Sequence, residues 1–350
     1  RSGRRASPRG TAAWEADLLP SRLQGYDPEW LDGLCLSGRV SWGRLTPAKP
    51  AAGRDRVSGP VRTTPIALLT RRHQALWQPL LAAHDEDATR LSPRALSVLE
   101  HLRAHGASFF DDMVHGTGLL KSQAEEALAE LVAAGLTHAD SFAGLRALLI
   151  PAEKRRSLKR GRRRVAEFGI EEAGRWTLVA RPAANTRAET PTIEHVARAL
   201  LRRYGVVFKR LLEREADWLP SWYELLTVYR RLEARGELRG GRFVGGMAGE
   251  QYALPEAVAS LRALRKQPAQ GELASVSASD PLNLIGILTP GARVPALAGN
   301  RVLYRDGVPI AVHSGGETRF LETLPAADEW TARNALLRSP LAPAVRAYLH

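Results

Sequence analysis

Several arginines between Pro220 and Leu254 lie where they could contact the phosphates or base edges of a nucleic acid. Arg230 and Arg231 fall on the polar side of a segment whose apolar residues recur at helical spacing. Arg239 and Arg242 follow, on either side of a Gly-Gly pair. A guanidinium group can donate paired hydrogen bonds to phosphate oxygens or to a guanine edge. The spacing therefore predicts a nucleic-acid contact surface made by these four arginines.

The elements that must position these arginines are a helix and a hairpin. The helix is predicted from its apolar face, which consists of Trp222, Leu225, Leu226, Tyr229 and Leu232. Gly236 marks the end of the helix, and apolar runs on either side of a glycine-rich tip predict two antiparallel strands. A helix followed directly by such a hairpin is typical of a winged-helix unit. In that unit the helix can enter a major groove while the hairpin, called the wing, contacts phosphate.

Three aromatic residues precede or begin this helix, namely Trp218, Trp222 and Tyr223. Each could stack on an unpaired base of a single strand. Trp222 also belongs to the apolar face, so its spacing favours a position in the core.

The composition agrees with a polyanionic partner. The 350 residues include 50 Lys and Arg against 37 Asp and Glu, which gives a formal net charge of +13. A single cysteine, Cys35, excludes a disulfide framework and a cysteine-cluster metal site, and we predict no metal site. No run of about 18 apolar residues occurs, so we predict no membrane segment and a cytoplasmic, nucleoid-associated protein. The chain begins at Arg1 rather than at methionine, and we expect a fragment or a processed product.

The whole sequence predicts an α+β fold in which tandem winged-helix domains are followed by a small β-barrel-like domain. The predicted order is a basic tail over 1–12, a winged-helix-like module over 13–82, a winged-helix module over 90–152, a basic linker over 153–164, a winged-helix module over 165–267, and the β-barrel-like domain with its closing helix over 280–345. The barrel is predicted from short apolar runs that are separated by PG, GN, DG and SGG turns.

The module over 90–152 shows three helical segments and then an apolar return that predicts a hairpin. Lys121, Ser122 and Gln123 begin the third helix, at the end that points to phosphate or base edges in this fold, so we predict nucleic-acid contact there. In the module over 165–267, a strand is predicted at 176–180, and helices are predicted at 192–204 and 206–215.

The linker between these two modules is strongly basic. Its sequence KRRSLKRGRRR holds eight basic residues and begins with Lys154, Arg155 and Arg156. The run either binds phosphate, with release of counterions, or is a solvated spacer.

Three phrases of the sequence together resemble the C-terminal region of bacterial large helicase-related proteins, the Lhr family of superfamily 2 helicases. They are SFFDDMVHGTGLLKSQAEEALAELVAAGLTHADSFAGLRALLIP, EQYALPEAVASLRALRK and DPLNLIGILTPGARVPALAGNRVLYRDGVPIAV. The resemblance covers nearly the whole chain from about Pro20 onward. It implies tandem winged-helix modules and a β-barrel, similar to winged-helix DNA glycosylases of the AlkZ type.

The resemblance further implies a DNA-binding accessory region of an ATP-dependent helicase that acts in DNA repair. The expected partners are single-stranded or forked DNA, the N-terminal helicase core of the same polypeptide and a second copy of the chain in a homo-oligomer. The printed sequence contains neither GxxxxGK[ST] nor a DExH box, so ATP and Mg²⁺ are expected only for the motor domain, and no cofactor is expected for this chain. An oligomerisation module is an alternative of a different class.

A metal-free uracil-DNA glycosylase that relies on an aspartate is a second implication of the resemblance. Such chemistry takes a base out of the stack and needs a carboxylate to activate water or to stabilise the developing sugar cation. The candidate catalytic residues are Asp140, Asp111 and Asp112, and Asp306 is a further aspartate with some claim. Each has a structural alternative, because Asp140 and Asp306 fall in predicted turns and the other two at a helix start.

Overall fold

The computed structural model describes residues 13–45, 64–81, 91–149, 169–180, 188–297 and 299–337. These residues form two compact units, one within Pro8–Thr186 and the other within Arg187–Arg338. We call them the first unit and the second unit. Each has hydrophobic clusters of its own.

The first unit begins with a helix and a β-hairpin. Its elements here are a π-helical turn at Trp14–Leu18, helix α1 at Pro28–Leu36, strands β1 at Val40–Gly43 and β2 at Ala67–Thr70, and short helical turns at Arg71–His73, Gln74–Trp77 (α2) and Gln78–Leu80. Helix α1 begins where the carboxylate of Asp27 accepts a hydrogen bond from the Glu29 amide at 2.9 Å. Strands β1 and β2 pair antiparallel, with Val40 opposite Thr70.

The remainder of the first unit has winged-helix topology. Its elements are helices α3 at Pro93–His105, α4 at Phe110–Thr117 and α5 at Lys121–Ala134, strand β3 at Thr137–Ala139, helix α6 at Phe142–Leu149, a 3-10 turn at Ile170–Ala173 and strand β4 at Trp176–Leu178. Strand β4 pairs antiparallel with β3 on one side and forms an isolated bridge through Trp176 to Ser108 on the other. This is the three-part sheet of a winged helix, with Ser108 in place of its first strand.

The predicted hairpin directly after β3 is wrong. Helix α6 follows β3, and the antiparallel partner of β3 lies some 40 residues further along the chain in β4. The run FAGLRALL lacks the alternation of a strand, and almost all of its side chains are buried, which suits a core helix. A Cβ atom at Gly144 would lie 2.7 Å from the Cβ of Ala173, so glycine permits α6 to pack this closely. Strand β4, predicted for the module over 165–267, therefore belongs to the first unit.

The residues of the predicted modules over 13–82 and 90–152 share one hydrophobic core. The core includes Leu31 of α1, Trp42 of β1, Leu128 of α5 and Trp176 of β4. The buried indole of Trp42 also donates a hydrogen bond to the Ser141 carbonyl at 2.8 Å. Because these side chains bury one another, the first hairpin and the helices after it form a single folded body.

A buried arginine fastens α6 to the start of the first unit. Arg146 is 0% exposed, and its Nε lies 2.6 Å from Oε2 of Glu15 while its Nη1 lies 2.5 Å from Oδ2 of Asp32. Its Nη2 donates to the Pro28 carbonyl at 3.0 Å, and the hydroxyl of Tyr26 donates to Glu15 at 2.5 Å. Burial and the Glu15 carboxylate raise the pKa of Tyr26, which stays protonated. Buried charges of this kind are tolerated because every one of them is paired and hydrogen-bonded.

The second unit begins with a complete winged helix. Its elements are helix α7 at Thr190–Tyr204, strand β5 at Val206–Phe208, a 3-10 turn at Lys209–Arg214, helix α8 at Trp222–Ala234, strands β6 at Arg239–Gly241 and β7 at Gln251–Ala253, and helix α9 at Pro255–Lys266. The sheet order β5-β7-β6 is that of the winged-helix fold. The predicted helix at 206–215 is instead β5 and the 3-10 turn, because the Val-Val-Phe run pairs with β7.

The second unit ends in an antiparallel sheet with one helix on it. Strands β8 at Leu273–Ser277, β9 at Arg301–Arg305, β10 at Val308–Ser314 and β11 at Glu317–Phe320 lie in sequence order, and helix α10 spans Ala326–Leu337. Leu303, Ile310 and Leu336 form the core between the sheet and α10. Among the described residues β8 and β11 are the edges of an open sheet, so the predicted β-barrel is not confirmed. The predicted turn at Asp306 is present, with φ of 49°.

An arginine joins the winged helix of the second unit to the loop that follows β8. Nη2 of Arg214 donates to the carbonyls of Asp280 at 2.5 Å and Ala278 at 3.2 Å, and its Nε donates to that of Pro281 at 3.3 Å. Burial lowers the pKa of Arg214. Three main-chain carbonyls thus replace the water that this guanidinium would have bound.

Candidate nucleic-acid interface

Helix α8 is fixed at its first turn by a reciprocal cap. The hydroxyl of Ser221 accepts from the Glu224 amide at 3.4 Å, and the Glu224 carboxylate accepts from the Ser221 amide at 2.8 Å. Leu225, Tyr229 and Leu232 are among the residues that bury its opposite face. The predicted helix between Pro220 and Leu254 is therefore confirmed, and its polar face points to solvent.

The solvent face of α8 carries Tyr223, Thr227 and Arg230, spaced by four and three residues and hence on one stripe. Tyr223 is 72% exposed, and Nζ of Lys209 lies 5.7 Å from the centre of its ring. At the other end of the stripe, Nε of Arg230 donates to Oε2 of Glu250 in the wing at 3.1 Å. The stripe thus runs from an aromatic ring with a neighbouring ammonium to an arginine already held by a carboxylate.

The wing, residues 242–250 between β6 and β7, is shaped from inside by Gln251. The Oε1 atom of this buried side chain accepts from the amides of Phe243 at 2.9 Å and Val244 at 2.8 Å. Its Nε2 donates to the carbonyls of Val244 at 2.9 Å and Met247 at 3.3 Å. The amide side chain therefore supplies the hydrogen bonds that a strand partner would otherwise give to this loop.

The four arginines predicted to contact nucleic acid lie in three different situations. Arg239 and Arg242 are exposed on β6 and the wing, and within the described residues neither guanidinium takes part in an ion pair. Arg231 lines a cavity of about 600 Å³ with Thr190, Thr227 and others. Arg230 is paired, and its hydrogen bonds lower the pKa of Glu250 and raise that of Arg230. Arg239 and Arg242 therefore have the charges most available to a phosphate.

The corresponding helix of the first unit is different. Lys121, at the start of α5, places Nζ 2.9 Å from Oδ1 of Asp111 and 3.3 Å from Oε1 of Glu171. Both carboxylates raise the pKa of Lys121. Gln123 accepts a hydrogen bond from the Leu120 amide at 3.1 Å, so it caps the helix, whereas Ser122 is exposed. The predicted contact residues of α5 are thus close together, but its lysine is already neutralised on both sides.

Two segments of the chain match family models described as large helicase-related protein, winged-helix domain. The matched residues are 8–69 and 186–273. Lhr helicase/uracil glycosylase of Escherichia coli (strain K12) is 28% identical over 330 residues, which cover 87% of this chain and 20% of that relative. Lhr helicase/ probable uracil glycosylase of Mycolicibacterium smegmatis is 28% identical over 299 residues, which cover 79% of this chain and 18% of that relative.

Residues 8–69 and 186–273 are thus similar to winged-helix domains of Lhr proteins, and most of the chain is similar to two Lhr helicases. The resemblance expected from the sequence is therefore confirmed. The chain spans about a fifth of the length of these two curated relatives. The second match, residues 186–273, contains α8 and its wing, so the candidate interface lies within an Lhr winged-helix domain.

The structure gives each candidate catalytic aspartate a structural partner. Oδ2 of Asp140 lies 3.0 Å from Nε of Arg175, and Asp111 pairs with Lys121. Asp112 accepts a hydrogen bond from the Phe109 amide at 3.3 Å and caps α4. Asp112 lies at a helix start, as its structural alternative expects, whereas Asp140 is held by an ion pair and not by the predicted hairpin turn. A catalytic role for any of the three stays a prediction.

Asp306 holds a neighbouring loop. Its carboxylate accepts hydrogen bonds from the amides of Gly271 at 2.8 Å, Glu272 at 3.0 Å and Gln270 at 3.3 Å. These amides lower the pKa of Asp306. Asp306 therefore both forms the turn and holds the main chain of residues 270–272, which lead into β8.

Two further observations concern metal sites and membrane-spanning helices. Nowhere in the described ranges do three or more His, Cys, Asp or Glu side chains form a group that could hold a metal ion. Among the helices of those ranges, none combines the length and apolar composition needed to cross a bilayer. Lys154, Arg155 and Arg156 of the basic linker lie outside the described residues.

Sequence reasoning missed Lys209, Glu250 and Gln251 as parts of the interface. Lys209 lies 14 residues before Tyr223, and only the fold brings its ammonium to that ring. Glu250 is 20 residues from Arg230. For Gln251 the local sequence does contain a signal. A glutamine beside Tyr252 and Ala253 in a short strand needs hydrogen-bond partners for its amide, either from solvent or from the main chain.

Proposed function

We propose that this chain is a DNA-binding accessory region of an Lhr-type helicase, and that α8 and its wing form the surface that binds DNA. The observation that supports the proposal is the pair Arg239 and Arg242, exposed and without an ion pair among the described residues. Both lie beside a solvent-facing winged-helix α8. The partner in this proposal is a helicase motor of the same family, and ATP and Mg²⁺ serve that motor.

A salt titration of DNA binding tests this proposal. Each phosphate contact releases counterions, so the slope of log K against log salt should become shallower by about 1 for each contacting arginine removed. We expect this change for Arg239→Ala and for Arg242→Ala. Arg319→Ala removes another exposed positive charge, on β11, and should leave the slope unchanged. A slope that responds equally to all three variants would contradict the assignment of the surface.

A uracil-DNA glycosylase is a second candidate function, favoured by the names of both relatives. It would place the chain directly in DNA repair. The test is incubation of the chain with a uracil-containing single strand and a thymine control, followed by alkali to reveal abasic sites. Loss of excision in Asp140→Asn, with DNA binding retained, would support a catalytic carboxylate at that position. Unchanged excision in Asp140→Asn, Asp111→Asn and Asp112→Asn would remove all three residues from the mechanism.

A further inference from the structure

The side chain of Tyr223 is exposed to solvent, and the fold does not depend on it. Its ring is 72% exposed, more than that of any other large hydrophobic side chain in the described residues. Its neighbour Trp222 is half-buried and packs against the buried Tyr229, with ring centres 5.9 Å apart. The helix would form equally well with a small residue at position 223, because the cap at Ser221 and the buried face do not involve the Tyr223 side chain.

The contact that the Tyr223 ring makes is with a cation. Lys209 extends from the 3-10 turn after β5 and places Nζ 5.7 Å from the ring centre. An aromatic face beside an ammonium is the pair of groups that binds one nucleotide of a single strand, the ring taking the base and the ammonium the phosphate. Arg239 of β6 and Arg242 of the wing extend the positive charge in the same module.

The rest of the α8 stripe is poorly suited to the base edges of a duplex. Arg230, the residue that would read guanine, is held by Glu250, which also accepts a hydrogen bond from the hydroxyl of Tyr252 at 2.5 Å. The remaining stripe residue is Thr227, whose hydroxyl donates to the Tyr223 carbonyl at 3.2 Å. The side chain on this face that is most available to DNA is therefore the aromatic ring of Tyr223. An aromatic ring stacks on a base that is unpaired.

We propose that Tyr223 is a stacking site for an unpaired base of single-stranded DNA, with Lys209 holding the adjoining phosphate. This inference rests on the proposed function, because it places the DNA on α8 and its wing. It adds the two side chains, Tyr223 and Lys209, that would bind one nucleotide of the single-stranded DNA already expected as a partner.

The test compares three probes of equal length: a dT 12-mer, a 12-mer of abasic sugar-phosphate units and a 12-base-pair duplex. Binding of the full chain to each is measured by fluorescence anisotropy at low salt. We expect Tyr223→Ala to weaken binding of the dT 12-mer by roughly tenfold, as loss of one stacked base does. Tyr223→Phe keeps the ring and should bind as the wild type does. Trp330→Ala removes a ring that is 71% exposed on α10 and serves as the matched control.

The outcomes separate this inference from the proposed function. Weaker dT binding in Tyr223→Ala, with abasic-strand and duplex binding unchanged, supports the stacking site. Equal losses on all three probes, or no loss on any, overturn it. A wild-type chain that binds the dT and abasic strands equally well also overturns it, but leaves phosphate binding by the wing intact. A wild-type chain that binds none of the probes overturns the proposed function and the stacking site together.

Discussion

The two winged-helix modules present helices of the same topological position in opposite electrostatic surroundings. Helix α5 carries one lysine and three glutamates, and its lysine is paired with Asp111 and Glu171. Helix α8 carries two arginines and two glutamates, and the exposed Arg239 and Arg242 follow it. Over residues 91–149 there are four basic and seven acidic side chains, whereas over 188–266 there are fourteen basic and ten acidic. A shared topology therefore does not imply a shared ligand surface.

The wings differ as much as the helices. Between β3 and β4 the chain inserts α6, which is anchored in the core of the first unit by Arg146. Between β6 and β7 it makes a short loop that Gln251 shapes from within and that Glu250 joins to Arg230 of α8. One wing has become part of a core, and the other has stayed at the surface. This contrast predicts a stability defect for changes in the first and a binding defect for changes in the second.

The largest expected effect is on the anchored wing. Arg146→Ala leaves the carboxylates of Glu15 and Asp32 without their cation, so we expect the free energy of unfolding of the first unit to fall by about 3–5 kcal/mol. Chemical denaturation measures it. Arg175→Ala, which removes an exposed partner of Asp140, should cost less than about 1 kcal/mol. Similar losses in the two variants would show that the buried network is not the anchor.

The next effect is on the surface wing. Gln251→Ala leaves the amides of Phe243 and Val244 without their acceptor, and we expect a loss of roughly 1–3 kcal/mol in the stability of the second unit. DNA binding should weaken as well, because the wing loses its fixed shape. Gln251→Glu keeps the acceptor but buries a carboxylate that faces the carbonyl oxygens of Val244 and Met247, so it should not recover the stability lost in the alanine variant. Denaturation and anisotropy on the same samples separate stability from binding.

A smaller effect, of opposite sign, is expected at Glu250. Glu250→Gln removes a negative charge from the wing and releases Arg230, so DNA binding should strengthen by about threefold at low salt. Since Arg230 lowers the pKa of Glu250, the ion pair is complete above the ordinary pKa of that carboxyl and is lost as the pH falls through the lowered value. Binding that weakens in Glu250→Gln would mean that the pair positions the wing for DNA.

The smallest effect is expected at α5. Lys121→Ala removes an ammonium that two carboxylates already neutralise, so DNA affinity should change by less than about twofold. The matched change in the other module is Arg242→Ala, which should weaken binding measurably. Equal losses of DNA affinity in the two variants would contradict the distinction between the two modules.

Helix α8 and its wing could be predicted from sequence because their signals are local. The Ser221 and Glu224 cap, the apolar face of α8 and the glycine-rich wing all lie within Pro220–Leu254. The same rules failed after β3, where the strand partner is 40 residues away and the anchor of Arg146 is 131 residues away. No local pattern contains such pairings, since long-range contacts are decided by which buried surfaces fit together.

The positions of the arginines in the candidate site could be predicted from the sequence, but the groups that pair with them could not. Composition and spacing predict that Arg230, Arg231, Arg239 and Arg242 face solvent, and all four lie on or next to α8 and its wing. Which of them are free depends on Glu250 and on the cavity beside Arg231, and these arise only when β7 and α7 are in place. The open sheet found instead of a closed barrel has a similar cause, because turn signals predict strands but not the pairing of the first strand with the last.

The internal position of Gln251 has a consequence for how this surface can evolve. Its amide bonds only main-chain atoms of the wing, so the side chains at the tip take no part in these bonds. Apart from Gly246 and Gly249, whose positive φ angles favour glycine, tip residues can be exchanged without loss of the loop's shape. A lineage could therefore change what this wing touches one substitution at a time, while the scaffold beneath it stays the same.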